Sequence, residues 1–460
     1  MTVSAAARTE GAGAVAAAPV SSAYAWFVVG ALSLINMVSY VERQILTLLF
    51  TPIKHDFHLT DTQVSLLAGA AFVIFFAVFG LFFGRLADRS NRKWIILVGT
   101  LFWSLATTGC GMAQTFIQLF TARISVGVGE ATLGSSALSI ISDYFPREKM
   151  PRALSVYTGS QYMGAGLALV IGGLAIQVVS HLPPVALPGL PPLRPWQMTF
   201  LVVGLGGLLL AIPALFIREP QRKGLAVVGL GDGPPRSQLL GFLSLNRRMV
   251  GCHIMGFSIN TMLGFGAAAW VPTFFIRVHH WAAQDVGYAY GGIMALGGLS
   301  GALVGGQIAE RLLKRGMVDV YFVMPMTKAT INMALFTSAM FIPSAPVALC
   351  VLALSTFIGT LPLSLISASL QAVAPNQLRG QLAAIFGFIA NILGVASGPT
   401  LVALLTDYVY RDELAVGRSL ATAYLVITPI AVSILGFGRK GLRESLARAA
   451  EFHQPTPAGA

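Results

Sequence analysis

Twelve membrane-spanning α-helices in two pseudo-symmetric six-helix bundles, an all-α membrane protein, are the fold this sequence predicts, on three observations. The chain of 460 residues is 55% hydrophobic and only 10% charged, with a mean hydropathy of +0.74, whereas soluble domains carry about 25% charged residues. Its apolar runs are long enough to cross a ~30 Å hydrocarbon core at ~1.5 Å per residue. A motif also recurs: Gly84-Arg-Leu-Ala-Asp88-Arg89 returns 222 residues later as Gly306-Gln-Ile-Ala-Glu310-Arg311, an offset that carries the first apolar run onto the seventh.

Residues 1–22, rich in Ala and Gly, lack the basic start and apolar centre of a signal peptide and read as a disordered tail. The apolar runs follow at about 25–50, 62–87, 94–113, 115–143, 152–180 and 196–217, which make a first bundle over 23–217. The polar stretch 218–247, with Gly231-Asp-Gly-Pro-Pro235, is a cytoplasmic linker. Runs at 248–276, 285–310, 320–342, 345–371, 381–406 and 418–437 make a second bundle over 248–438, and 439–460 is a cytoplasmic tail. The loop from His181 to Pro195 holds Pro-Pro twice and reads as an extended connection.

The basic residues orient these elements. Arg85, Arg89, Arg92 and Lys93 follow the second run, and Arg147, Lys149 and Arg152 the fourth. Arg218, Arg222, Lys223, Arg236, Arg247 and Arg248 follow the sixth, Arg311, Lys314 and Arg315 the eighth, and Arg379 the tenth. Arg439, Lys440, Arg443 and Arg448 close the chain, and Arg8 lies in the first tail. The opposite side holds only Lys54, Arg194, Arg277, Arg411 and Arg418, and Arg43, Arg123 and Lys328 fall inside runs. By the positive-inside rule both termini are cytoplasmic, in a multi-pass protein of the plasma (inner) membrane. The net charge of +12 is therefore a topology signal and does not imply a nucleic-acid partner. Cys110, Cys252 and Cys350 lie in apolar stretches without metal-ligand spacing, so neither a disulfide framework nor a zinc site is expected. No cofactor, nucleotide-binding loop or nucleophile motif is evident, and the chain does not read as an enzyme.

Charges inside spans are functional hypotheses by default, because each costs about 2.5–3.5 kcal/mol on the insertion scale. On a helical wheel Asn36, Ser39, Tyr40, Arg43 and Thr47 share an arc of about 100°, while Glu42 lies about 100° from Arg43. Glu42 is thus expected to face a neighbouring helix or a cavity edge. Arg123 and Glu130 are seven residues apart, ~10 Å along one face of the fourth helix, with Gly127 and Gly134 beside them. The four charges are expected to approach one another as one network. The competing reading is a permanent salt bridge joining two helices, but buried pairs are not automatically stabilising, which favours a working role. Burial and a nearby arginine act oppositely on a carboxyl's proton affinity, so an alternating cavity would let Glu42 or Glu130 load and release a proton.

Lys328 is expected to snorkel to the cytoplasmic surface. The second half has neutral polar groups instead, Asn260 and Thr261 among them, beside Phe257, Phe265 and Trp270. A cavity charged on one wall and apolar or aromatic on the other suits an amphiphile. Candidate substrate contacts are Arg43, Arg123, Glu130, Tyr40, Asn36, Thr47, Asn260 and Trp270.

Gly84-Arg-Leu-Ala-Asp88-Arg89-Ser-Asn-Arg92-Lys93 resembles the G-x-L-A-D-R-x-G-R-K signature of the major facilitator superfamily, with Asn91 in the second glycine position. Gly84 lets a helix approach, and Asp88 can accept hydrogen bonds from a helix N-terminus and from arginine. Gly84, Asp88, Arg89 and Arg92, with Glu310 and Arg311 in the repeat, are read as a conformational latch. The small-residue fifth and eleventh helices, around Gly159–Gly173 and Gly387–Gly398, sit between the halves in that superfamily. Tyr40-Val-Glu-Arg43 resembles the N-Y-[VI]-D-R motif of spinster-type transporters, and Arg123-Ile-Ser-Val-Gly-Val-Gly-Glu130-Ala resembles their R-x-x-x-G-x-G-E-A. The likeness spans about 26–175, with Ser39 for the usual Asn and Glu42 for the usual Asp.

The resemblance implies proton-linked movement of lysophospholipids or sphingoid lipids by alternating access, in a monomer whose partners are protons, substrate and the bilayer. By carry-over Glu42 is the first-helix protonation site, Arg43 and Arg123 steer it or meet an anionic headgroup, and Glu130 is a central polar contact. A proton-coupled organic-anion or drug carrier of the same superfamily is the alternative, and a non-transporting receptor or membrane enzyme a remote one.

Overall fold

The computed structural model describes residues 21–146, 149–183, 191–222, 236–375 and 377–452. Most of the expected N-terminal tail, Arg147, residues 184–190, the linker's Lys223 and Gly231–Pro235, and residues 453–460 lie outside the described residues.

The described residues are nearly all helical and contain no strand. The first half holds α1 (Ser22–Leu48), α2 (Asp61–Arg89), α3 (Arg92–Met112), α4 (Phe116–Tyr144), α5 (Met150–Ser180) and α6 (Pro195–Leu215). The second holds α7 (Arg247–Arg277), α8 (Ala283–Lys314), α9 (Val320–Ala339), α10 (Ala345–Val373), α11 (Arg379–Tyr410) and α12 (Val416–Phe452). Eleven of these are long and apolar enough to cross a membrane by length and composition alone. The twelfth, α9, has 20 residues and is less apolar because it carries Lys328 and Asn332. It packs against α10 and α12 as a full member of its bundle.

Several helices start where the sequence supplies a cap. Ser21 accepts from the Tyr24 N–H at α1, Thr60 and Gln63 form a capping box at α2, and Asn91 and Thr115 cap α3 and α4. Two elements extend the sequence reading. A helix at Arg236–Leu245 lies inside the expected linker, where Leu239, Phe242 and Leu243 pack against Ala374, Leu378 and Leu382. The last helix runs on past the expected tail boundary, because Leu442 and Leu446 continue its apolar stripe onto Met249 and Val250.

The halves meet along two seams, α5 with α8 and α2 with α11, so the fifth and eleventh helices both face the other half. At the first seam the backbones are too close for side chains. A Cβ on Gly287 would lie 2.5 Å from the Leu169 carbonyl oxygen, and one on Gly291 2.7 Å from that of Gly166. At the second, α2 breaks in a turn at Gly69, where a Cβ would overlap the Ala396 carbonyl.

The polar bonds across these seams gather at one end. Hydrogen bonds and ion pairs between described residues of the two halves lie toward the end where α1 leads into α2. They join Thr62 to Asp407, Ser65 to Thr400, Asp61 to Arg277, Gln177 to Tyr288 and Lys54 to Glu413, and beside the central cavity Gln44 donates to the Ala268 carbonyl. The opposite end, where the Lys- and Arg-rich loops gather, has no such bond among the described residues. Among the described residues, the bonds between the halves therefore gather at the far end, and none spans the basic end.

Candidate functional site

Between the two halves lies a cavity of about 450 Å³. Tyr40, Arg43 and Gln44 from α1 and Gln161 from α5 form one wall. Phe257, Asn260, Thr261 and Phe265 from α7, Lys328 from α9, and Thr356, Thr360 and Ile366 from α10 form the other. Most of that second wall is hydrocarbon and aromatic ring.

Arg43 sits at the edge of this space. Its Nη2 donates to Glu130 Oε2 at 2.5 Å, and Glu130 is 2% exposed. The guanidinium also lies over the rings of Phe72, Tyr40 and Phe76, at 4.2, 4.9 and 5.5 Å from their centroids. Phe72 in turn lies 5.7 Å from the Arg123 guanidinium, so one ring stands between two cations. Arg123 is fully buried and donates to the carbonyl oxygens of Leu67 and Glu42, each at 3.3 Å.

Glu42 turns away from the cavity, as its position on the wheel requires. It is fully buried against α3, where Ser104 Oγ lies 2.8 Å from Oε1 and Thr107 Oγ1 lies 2.6 Å from Oε2. Room for the carboxylate comes from Gly207 on α6, where any Cβ would overlap Oε1. The four charges therefore gather in one region but divide into a carboxylate–guanidinium pair, a guanidinium held by carbonyls and a carboxyl held by hydroxyls.

Four of the expected substrate contacts lie elsewhere. The Trp270 indole donates to the Pro399 carbonyl at 2.8 Å and packs on Phe50, locked into the closed far end. Thr47 bonds back to the Gln44 carbonyl at 2.8 Å, one turn along its own helix. Asn36 donates to Ser160 at 3.0 Å across the α1–α5 contact, and Arg123 is enclosed as described. Tyr40, Arg43 and Asn260 line the cavity; Glu130 meets it only through Arg43. Lys328 corrects the snorkelling expectation: its Nζ donates to Asn260 Oδ1 at 3.1 Å and it lines the cavity.

The latch residues separate in the same way. Asp88 and Arg89 are exposed at the end of α2, and Arg222 donates to the backbone carbonyls of Ala87, Asp88 and Ser90. The charge-assisted bonds expected at Asp88 form instead around Arg92. It is buried and reaches Asp143 at 2.5 Å, Ser139 at 2.7 Å and Glu219 at 2.7 Å, tying α3 to α4 and to the segment after α6. Gly84 lies close to Ser135, at 4.0 Å from a built Cβ. In the repeat, Glu310 pairs with Lys314 on its own exposed helix end, and Arg311 is exposed. The corresponding anchor of that half is Asp319, which takes Arg439 at 2.8 Å and Arg443 Nε at 2.7 Å. Arg443 and then Arg439 hold the Asp319 carboxyl below the ordinary aspartate range, against the opposing effect of burial.

Sequence reasoning passed over the far-end cluster. Asp61, fully buried, takes Arg277 at 2.7 and 2.9 Å and Lys54 at 2.7 Å, and Lys54 also reaches Glu413 at 2.8 Å. Charges at the ends of apolar runs read as boundary markers. Their sequence signal was only that the sparse side carries so few cations.

The family model described as Major Facilitator Superfamily matches residues 32–399. An MFS-type efflux pump of Mycolicibacterium smegmatis is 27% identical over 402 residues, 86% of this chain and 88% of that protein. Protein spinster homolog 1 of Xenopus laevis is 26% identical over 429 residues, 88% of this chain and 78% of its own. A bacterial homolog of the human lysosomal transporter Spinster, crystallised inward-facing and unoccupied, shares the fold with a TM-score of 0.72 at 23% identity, over 95% of this chain and 100% of its own. With its two six-helix halves around a central cavity, the chain belongs to the major facilitator superfamily of membrane transporters, and it is similar in sequence to spinster proteins.

Proposed function

We propose that this protein is a proton-coupled secondary transporter that moves a lysophospholipid or sphingolipid-like amphiphile by alternating access. It works as a monomer in the plasma (inner) membrane with both termini cytoplasmic. With that orientation the basic end is the cytoplasmic end, and the described state faces inward. The observation that carries the substrate reading is the two-sided cavity. Phe257, Phe265, Leu363 and Ile366 offer a chain-length apolar surface, and Arg43 and Lys328 supply charge within the same 450 Å³ space.

Proton coupling is supported by the hydroxyl arrangement around Glu42. The Thr107 hydroxyl has one hydrogen but two acceptors in reach, Glu42 Oε2 at 2.6 Å and the Trp103 carbonyl at 3.0 Å. A proton on Glu42 resolves the conflict: Glu42 donates to Thr107, and Thr107 donates to Trp103. No described cation forms an ion pair with the Glu42 carboxylate, whereas Glu130 is neutralised by Arg43. We therefore assign the proton to Glu42 and the counter-ion role to Glu130. Loss of the proton strips α1 of a donor to α3, which gives the two protonation states different helix contacts and hence different conformational preferences.

The alternative reading, a proton-coupled organic-anion or drug carrier, draws on the same two cations. Uptake into proteoliposomes of labelled lysophospholipid against small carboxylates, with and without an imposed pH gradient, separates the two. The lipid is expected to accumulate only with the gradient; accumulation of carboxylates without lipid would replace the substrate assignment.

A further inference from the structure

Lys328, half-buried on the cavity wall, stands apart from the buried cations of the described residues and from half-buried Arg43. Arg43, Lys54, Arg92 and Arg277 each meet a carboxylate at 2.5–2.7 Å. Arg123 is enclosed by backbone carbonyls. Among the described residues Lys328 forms no ion pair with a carboxylate, and its hydrogen bond to the Asn260 amide oxygen answers one of its three donors. It sits midway along α9 on the wall of the cavity. Within a membrane span such a charge is costly unless a counter-charge reaches it.

We propose that Lys328, with Asn260 as its resting partner, is the anchor for an oxyanion on the transported molecule, a carboxylate or phosphate headgroup. The inference rests on the amphiphile-transporter reading and names the group that reading leaves open. The anion displaces Asn260 and gives the ammonium a charge-assisted partner. The attached hydrocarbon then lies along Phe257, Phe265 and Ile366, which share that wall. Arg43 is the less available site, since an incoming anion would have to displace Glu130 from it. Because Tyr40 and Gln161 of the other half line the same cavity, a molecule anchored at Lys328 can contact both halves and favour their approach.

The test uses the purified full chain in detergent and a matched series of octyl phosphate, octanoate and octanol below their micellar concentrations. The wild type is expected to bind at least one of the anions about tenfold or more tightly than octanol, the scale of one charge-assisted hydrogen bond. Lys328→Gln should abolish the preference and Lys328→Arg retain it. Asn260→Ala, which removes the resting partner and keeps the ammonium, should preserve or raise it. Preference for phosphate alone or carboxylate alone supports the anchor and identifies its headgroup. Equal affinity for all three compounds, or an unchanged preference in Lys328→Gln, overturns it. Uptake driven by a pH gradient is read separately: its absence with the anion preference intact would defeat the transport reading and leave the anchor standing.

Discussion

The two halves share a helix plan but spend their polar residues differently. The first half buries Glu42, Arg123 and Glu130 and half-buries Arg43, and it gives each a partner among one another, hydroxyls or carbonyls, although Arg43 Nε, Arg123 Nη2 and Glu130 Oε1 stay unpartnered. The second half turns one cation, Lys328, toward the cavity with only an amide beside it. On the proposed mechanism this is a division of labour: the crowded wall handles the proton and the sparse wall reads the substrate. An internal repeat preserves the scaffold that alternating access needs and leaves each half free to take a separate task.

The harshest break of this comparison is at Arg43. Arg43→Ala strands Glu130 without its cation, a loss of about 3–5 kcal/mol for a buried pair. Transport should be abolished and the unfolding temperature in detergent should fall; a stable, active variant would show that the pair is dispensable. Next in size is the far-end closure. Asp61→Asn deprives Arg277 of its carboxylate while Lys54 keeps Glu413. The state open at the far end should gain, so that a Ser65→Cys thiol, buried at the α2–α11 seam in the described state, is labelled about tenfold or more faster, ~1.4 kcal/mol. Unchanged labelling would mean that the glycine seams alone hold that end.

A finer probe is Gly207→Ala, which pushes a methyl group into the Glu42 carboxyl. Overpacking of this kind costs about 1–3 kcal/mol, and it should impair gradient-driven accumulation while leaving anion binding at the opposite wall intact. Smallest is the pH response of the second half's basic end. Because Arg443 depresses the folded-state affinity of Asp319 for a proton, its stabilisation is complete above the unfolded aspartate value of about 3.9. It is lost as pH falls through the lower folded value. Asp319→Asn should remove that acid sensitivity with an effect of about 1 kcal/mol or less, since Arg443 is largely exposed. Identical acid unfolding of the two proteins would contradict it.

The helices were legible because hydropathy, length and basic loops all report one physical constraint, the cost of leaving backbone and charge in hydrocarbon. The direction of Glu42 was also legible, since 100° per residue separates it from Arg43. Which polar group lines a cavity was not. Trp270 and Thr47 occupy plausible positions on their helices, but the far-end closure buries one and a bond along its own helix holds the other. The gathering of the four charges was legible, but which guanidinium takes which carboxylate was not, because a long guanidinium side chain reaches beyond its own level on the helix. Lys328 escaped because snorkelling is a one-helix argument, and its partner Asn260 stands on another helix.

On the proposed mechanism Glu42 carries the proton while substrate is held elsewhere. Its most direct test is Glu42→Gln in proteoliposomes, comparing pH-gradient-driven accumulation with exchange of substrate across the same membrane at equal pH. Accumulation lost with exchange retained is the predicted result; accumulation equal to that of the wild type would contradict the assignment.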